Sequence, residues 1–104
     1  MSGMELKVGA RLRSVTDSTE VVVVRVGSGD VDLRCGGHPM VPLGDGGDQA
    51  QVEAGFDTGA EVGKRYADEE AGIEVLCTKA GQGTLSVGAD PLPLKGAKPL
   101  PSSD

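Results

Sequence analysis

A cysteine and a histidine separated by two residues can bind the same metal ion, and the chain contains one such pair, Cys35 and His38. A complete zinc or iron site needs two further ligands, for which Cys77 and Asp90 are the candidates. No second pair with matching spacing occurs in the sequence. We therefore expect no cofactor and no metal site, and we expect Cys35 and His38 to hold a metal if one binds.

Each cysteine also has a structural interpretation. Val31, Leu33 and Cys35 alternate with polar residues, as in a half-buried strand, so Cys35 has the position of a small buried hydrophobe. His38 lies beside a proline, which is typical of a surface turn. Cys77 has no histidine or basic residue next to it that would lower its pKa. No complete nucleophile, base and orienting group is visible, so we expect a protein that is not an enzyme.

Three further motifs resemble chemical sites. Asp45 and Asp48 lack the alternating oxygen ligands and the bidentate glutamate of a calcium loop. The acidic run 68–70 could act as an acid–base pair, but adjacent charges before a strand usually face water. The glycines at 27–29 and 81–83 precede no helix that could hold a phosphate. We interpret all three as turns or solvated segments.

The sequence contains an internal repeat. Residues 21–40 align without a gap on residues 73–92, at a shift of 52 positions. The identical pairs are Val23/Val75, Gly29/Gly81, Leu33/Leu85, Gly36/Gly88 and Pro39/Pro91. Upstream, residues 9–12 (GARL) align with residues 63–66 (GKRY) once two residues are dropped. Because repeats stack to share a core, we predict a tandem duplication.

Each copy has the pattern of a β-hairpin. Strands are predicted at 21–26 and 31–35 around a turn at 27–30, and at 73–78 and 85–87 around a turn at 80–83. The segments 36–39 and 88–91 are predicted to end the hairpins, because proline cannot continue a ladder. We therefore predict an all-β fold.

We expect one domain over residues 1–94 and a disordered tail over residues 95–104. Repeat one covers about 9–43 and repeat two about 63–94. The connection 44–62 is glycine-rich, and it contains acidic residues but no lysine or arginine, which predicts a solvated segment.

Composition excludes several classes of function. The net charge of −6 and the absence of a basic stretch argue against nucleic acid or a membrane surface as a partner. No apolar stretch approaches the roughly 20 residues that cross a bilayer, and the first residues lack the apolar segment of a signal peptide. Two cysteines make no disulfide framework, so we expect a cytoplasmic protein. A core with one Phe, one Tyr and no Trp favours burial by pairing of the two units or by homodimerisation.

The repeats resemble a known family. The spacing Tyr66-x-Asp68-x-x-Ala71-Gly72-x-x-Val75-Leu76, then Gly83-Thr84-Leu85 and Pro91-Leu92, resembles desulforedoxin and the N-terminal domain of desulfoferrodoxin, a rubredoxin-like fold. Residues 35–40 (CGGHPM) resemble the second half of that pattern. In this family a small β-unit pairs with a second copy, and each unit binds iron through four cysteines. The resemblance implies two tandem β-hairpin units packed as a pseudo-two-fold small barrel or sandwich.

The iron ligands of that family are missing. The positions that match its first cysteine pair are Val15 and Ser18 in copy one, and Asp68 and Ala71 in copy two. Those that match its second pair are Cys35 and Gly36, then Val87 and Gly88, so only Cys35 is retained. The resemblance thus implies a scaffold without its metal. We therefore expect a non-enzymatic accessory or protein-interaction module that binds a protein partner through a strand edge or through the connection 44–62. The alternative is a mononuclear zinc or iron protein that uses Cys35 and His38.

Overall fold

The prediction of an all-β fold is confirmed. The computed structural model describes residues 6–27, 31–44, 49–69 and 71–94, and within these ranges it contains strands and no helix. No helix there is long and apolar enough to span a bilayer. The tail 95–104 lies outside the described residues. The strands are β1 (Arg11–Arg13), β2 (Glu20–Arg25), β3 (Leu33–Cys35), β4 (His38–Pro39), β5 (Val41–Pro42), β6 (Arg65–Asp68), β7 (Ile73–Lys79), β8 (Leu85–Val87) and β9 (Asp90–Pro91).

The strands form two antiparallel sheets. The first has five strands in the order β5-β1-β2-β7-β6, and the second has four in the order β4-β3-β8-β9. In the described part of the chain neither sheet closes on itself, so the barrel form of the expectation is wrong. The two sheets instead bury their side chains in one shared core.

The predicted pairing within each hairpin is wrong. β2 and β3 lie in different sheets, and so do β7 and β8. β2 pairs with β7 and β3 pairs with β8, so each of these strands finds its partner in the other half of the chain. Turn residues indicate where a chain reverses, but they do not specify which sheet the next strand joins.

The tight hairpins lie one segment later than predicted. Gly36 and Gly37 form the turn between β3 and β4, with φ angles of 68° and 89°. A two-residue turn with positive φ at both positions is the type that joins antiparallel strands, and glycine adopts it without strain. Pro39 pairs with Arg34 at the sheet edge, where a missing N–H is tolerated. Residues 88 and 89 form a turn of the same length between β8 and β9, with a φ of 58° at Gly88.

The core is aliphatic. The first sheet contributes alternate residues of β2 and β7, and the second contributes β3 and β8; the largest fully buried side chains include Val21, Val23, Leu33, Met40, Ile73, Val75 and Leu85. Tyr66 is the one aromatic residue of this core, and its hydroxyl accepts a hydrogen bond from the Glu61 N–H at 3.0 Å. Since aromatic area is scarce, close packing of aliphatic side chains supplies most of the burial.

All four outer strands are blocked against pairing with another strand. Three of them contain a proline, which cannot donate to a new ladder: Pro39 in β4, Pro42 in β5 and Pro91 in β9. The fourth, β6, is covered by the chain itself. Ala67 N–H donates to the Pro93 carbonyl at 3.0 Å, and Tyr66 forms a bridge with Leu94. The sheets therefore offer no open edge in the part of the chain that is described.

The described part of the acidic connection lies along the body of the protein. Residues 49–60, which we call the strap, have backbone hydrogen bonds to the bend after β1, to the Gly36 turn and to the loop before β8. Most of the strap side chains are exposed. Asp45 and Asp48 lie outside the described residues.

Candidate functional site

Cys35 lies beneath the bend that joins β1 to β2. Its side chain is completely buried, and its Sγ is 4.0 Å from each carboxylate oxygen of Asp17. The bend places three hydroxyl residues around the same carboxylate. We call Ser14, Thr16, Asp17, Thr19 and Cys35 the Asp17 cluster.

Hydrogen bonds fix the orientation of the Asp17 carboxylate. The Thr16 hydroxyl donates to Asp17 Oδ2 at 2.9 Å, and the Thr19 N–H donates to Asp17 Oδ1 at 2.8 Å. The Ser14 and Thr16 hydroxyl oxygens are 2.9 Å apart. Because the single hydrogen of the Thr16 hydroxyl goes to Asp17, Ser14 supplies the hydrogen between the two hydroxyls. The carboxylate is thus held with both oxygens towards the Cys35 sulfur.

Thr19 has an unsatisfied hydroxyl. The residue is completely buried, and its Oγ1 has no hydrogen-bond partner. Burial has the larger effect on the pKa of Cys35 and raises it, but the hydroxyls of Thr19 and Ser14 nevertheless lie close enough to hydrogen-bond its thiolate, which lowers that pKa. The Asp17 cluster therefore contains a thiol, a carboxylate and three hydroxyl groups.

The loop before β8 covers this cluster closely. We call residues 81–84 the cover loop. A Cβ atom added at Gly83 would collide with Asp17 Oδ2 and would lie 2.8 Å from the Gly36 nitrogen and 2.9 Å from the Cys35 sulfur. A Cβ atom at Gly81 would collide with Thr19 Oγ1 in the same way. Only glycine at both positions allows the loop backbone to lie this close.

Both thiols are protonated at neutral pH. Burial, and then the negative charge of Asp17, raise the pKa of Cys35 from its ordinary value of 9.0 to about 11. Burial also raises the pKa of Cys77, whose thiol donates to the Lys79 carbonyl at 3.2 Å. A protonated thiol is a poor nucleophile, and a metal ion must displace its proton in order to bind.

The raised pKa of Cys35 makes folding stability depend on alkaline pH. The thiol binds its proton more tightly in the folded state than in the unfolded state. Its contribution to the free energy of unfolding is therefore complete below pH 9 and is lost as the pH rises through about 11. At 1.36 kcal/mol per unit, this shift corresponds to about 2–3 kcal/mol. We expect urea unfolding at pH 8.5 and pH 11 to show this extra loss in the wild-type protein and not in Cys35→Ala. An equal loss in both proteins would contradict it.

Cys35 and His38 are neighbours across the β3–β4 hairpin, but they contact different groups. His38 Nε2 lies 3.3 Å from the Glu53 carboxylate of the strap, whereas Cys35 faces Asp17. Within the described ranges, no three or more His, Cys, Asp or Glu side chains are arranged to hold a metal ion. Asp90, the further ligand candidate, is exposed on β9 at the edge of the second sheet.

The acidic run after β6 has a local structural role. The Asp68 carboxylate accepts a hydrogen bond from the Ala71 N–H at 3.4 Å, and its carbonyl accepts one from the Gly72 N–H at 2.9 Å. Asp68 thus stabilises the turn that leads into β7. Glu70 lies outside the described residues.

Sequence reasoning missed Asp17 and Thr19. Neither belongs to a spaced motif, and both come near Cys35 only because the bend folds across the second sheet. One signal was present: residues 14–19 contain four hydroxyl side chains and one carboxylate in six positions.

Searches of family models, curated proteins and solved structures find no significant match to this chain.

Proposed function

We propose that this chain is a non-enzymatic interaction module built from two joined copies of a desulforedoxin-like β-unit that lacks the iron ligands. The observation that carries the proposal is the symmetry of the strand pairing. It supports a pseudo-two-fold relation between the two halves. The two most exposed large hydrophobic side chains of the described residues also lie at positions that this relation makes equivalent.

The two central pairings are centred on equivalent residues. In the first sheet Val23 lies opposite Val75, and in the second Arg34 lies opposite Ser86. Both pairs are related by the repeat shift of 52 positions. On either side of Arg34 the partners exchange, because Leu33 faces Val87 while Cys35 faces Leu85. A two-fold axis through both sheets would produce this register. The first sheet departs from it by one residue, since Val22 faces Leu76 but a bulge places Arg25 rather than Val24 opposite Glu74.

Hydrogen bonds between the copies are reciprocal. The Gly36 N–H donates to the Thr84 carbonyl at 3.0 Å, and the equivalent Gly88 N–H donates to the Asp32 carbonyl at 2.8 Å. The bonds that close the two hairpins are also equivalent: Met40 N–H to Leu33 O at 3.0 Å and Leu92 N–H to Leu85 O at 2.9 Å. These shared bonds support a common origin of the two halves.

The pairing of β6 with β7 departs by two residues from that of β1 with β2. Val21 pairs with Leu12, whereas its equivalent Ile73 pairs with Asp68 rather than with Tyr66. A shift of two residues keeps the same side chains on the same face of a sheet. The departure is therefore compatible with a common ancestor of the two copies.

The location of the Asp17 cluster supports the family resemblance. In that family the two cysteine pairs of a unit meet at the iron, and here the bend 15–18 lies against Cys35. The bend supplies Asp17 where the family supplies thiolates. In this proposal the two segments still lie against each other, but a polar contact between Asp17 and Cys35 replaces the thiolates that would bind iron.

In this proposal the partner binds at two equivalent turns. Val8 and Val62 are 66 % and 61 % exposed, the highest values among the large hydrophobic side chains of the described residues. Each precedes a glycine with positive φ, Gly9 at 92° and Gly63 at 84°, in a β-turn that leads into β1 or β6. Side chains as exposed as these contribute little to the free energy of folding. Their presence at two equivalent turns therefore favours a role in binding.

The structure makes the two routes expected from the sequence less favourable. Strand addition requires an open edge, and the outer strands are blocked by proline or by the chain itself. The strap is already hydrogen-bonded to the body of the protein. A protein partner that accepts the two valine turns avoids both obstacles.

Affinity capture from the native host tests this proposal. We expect one stoichiometric protein partner, either a second copy of this chain or another protein, to be retained by the wild type and lost by the double variant Val8→Ser, Val62→Ser. Leu43→Ser is the matched control, since Leu43 is 37 % exposed and lies outside these turns. Retention by the double variant, or no partner at all, would overturn the proposal.

A metal-binding function is the second candidate, and the proximity of Asp17 to Cys35 is the observation that favours it. A metal with Zn–S and Zn–O distances of about 2.3 and 2.0 Å places sulfur and oxygen roughly 3.5 Å apart at a tetrahedral angle. Metal analysis of protein purified without added metal decides between the candidates. Stoichiometric zinc or iron that disappears in both Cys35→Ala and Asp17→Asn would replace the interaction module by a metal protein.

A further inference from the structure

We infer that the strap and the cover loop open together while both sheets remain folded, and that this opening admits small thiol-reactive molecules to Cys35. The inference concerns access to a buried side chain and does not depend on the proposed partner. It distinguishes Cys35 from Cys77, although both are buried.

The strap is held mainly by its backbone. Ala50 N–H donates to the Val15 carbonyl at 2.7 Å, and Glu53 N–H donates to the Gly36 carbonyl at 2.9 Å. Among the strap side chains only Ala60 is fully buried. Segments with few buried apolar groups and exposed hydrogen bonds open at a lower free energy than the core strands.

The strap and the cover loop are tied to each other. Thr84 N–H donates to the Phe56 carbonyl at 2.9 Å, and Ala60 pairs with Gly81. The Thr58 N–H donates to Thr84 Oγ1 at 2.9 Å, and the two threonine hydroxyl oxygens are 2.7 Å apart. Movement of the strap away from the body therefore draws the cover loop with it.

The cover loop separates Cys35 from solvent. The Gly83 backbone lies directly over the Cys35 sulfur and Asp17, and Gly36 N–H bonds to the Thr84 carbonyl. Removing this loop exposes the thiol without separating any pair of strands. Cys77 projects from β7 of the first sheet into the core that the two sheets share, where burial raises its pKa and Asp17 is near enough to raise it further. In this inference the reagent reaches Cys77 only when the two sheets move apart.

Thiol alkylation measures the access of a reagent to Cys35 and to Cys77 in the same molecule. Iodoacetamide forms a carbon–sulfur bond, iodide leaves, and the thiol proton passes to water. The full-length wild-type protein is labelled at pH 8 in its native state, and each cysteine is followed by mass spectrometry of its peptide. Rates are divided by those of the same cysteine in urea-unfolded protein, which corrects for intrinsic reactivity. We expect Cys35 to be labelled at least about tenfold faster than Cys77.

Two threonine variants connect the opening to the strap. Thr58→Val removes a hydroxyl that joins the strap to the cover loop, and we expect it to raise the Cys35 labelling rate about three- to tenfold without changing that of Cys77. Thr78→Val is the control, because it removes a similar exposed threonine bond, to the Glu20 carbonyl at 3.2 Å, next to Cys77.

The control should leave Cys35 labelling unchanged. Equal normalised rates for Cys35 and Cys77 in the wild type would overturn the inference, since both thiols would then react only through unfolding of the whole domain. An equal increase at both cysteines in Thr58→Val would overturn it as well. Circular dichroism of each variant confirms that the comparison is made on folded protein.

Discussion

Gly83→Ala is expected to destabilise the protein by about 2–3 kcal/mol, because the added methyl group has no space beneath the cover loop. One of the atoms it meets is the backbone nitrogen of Gly36, at 2.8 Å, so rotation of a side chain cannot relieve the overlap. The cover loop must instead move away from the second sheet. We expect a lower urea midpoint with an unchanged m-value, together with faster alkylation of Cys35 in the native state.

Gly44→Ala is the matched control for this substitution. A Cβ atom at Gly44 meets no heavy atom within 4 Å. The change should be neutral or stabilising by up to about 1 kcal/mol, because alanine restricts the unfolded chain more than glycine does. A stability of Gly83→Ala equal to that of Gly44→Ala would show that the cover loop is not packed against the Asp17 cluster.

Leu33→Ala and Leu85→Ala are expected to have the largest effects of any single truncation, about 2–5 kcal/mol each. Both leucines are almost completely buried in the second sheet, and the proposed repeat aligns one with the other. Domains of this size are typically stable by about 5–15 kcal/mol, so either change removes a large share of the total. If the two halves are related by a two-fold axis, the two losses should agree within about 1 kcal/mol.

Leu43→Ala provides the reference for these truncations. Leu43 is 37 % exposed, so its truncation should lower the free energy of unfolding by less than about 1 kcal/mol. Urea unfolding of the three variants gives the comparison. A loss at Leu85 of the same size as that at Leu43 would contradict a core shared by both halves of the chain, whatever the result for Leu33.

The strands could be predicted from the sequence, but their partners could not. The runs 21–26 and 73–78 correspond closely to β2 (Glu20–Arg25) and β7 (Ile73–Lys79), because β-branched residues and alternation are local signals. Pairing depends on which apolar faces meet after collapse. The chain therefore contains the predicted strands in two sheets instead of two hairpins.

The candidate site was predicted only in part. The alternation of Val31, Leu33 and Cys35 correctly indicated that Cys35 faces the core. Its contact with Asp17 could not be predicted, because the two residues come together only when the bend crosses the second sheet. The spacing of Cys35 and His38 reflects a two-residue hairpin turn, in which the flanking residues are neighbours for reasons of backbone geometry.

Cross-pairing of the two halves has a kinetic consequence. The central strand pairs join residues that are about fifty positions apart, as Val23 and Val75 show, so the chain must close a long loop before either sheet gains its middle contacts. Neither half can complete a sheet by itself. Folding should accordingly be slow for a chain of this length, on the order of milliseconds to seconds, with both sheets appearing in a single step.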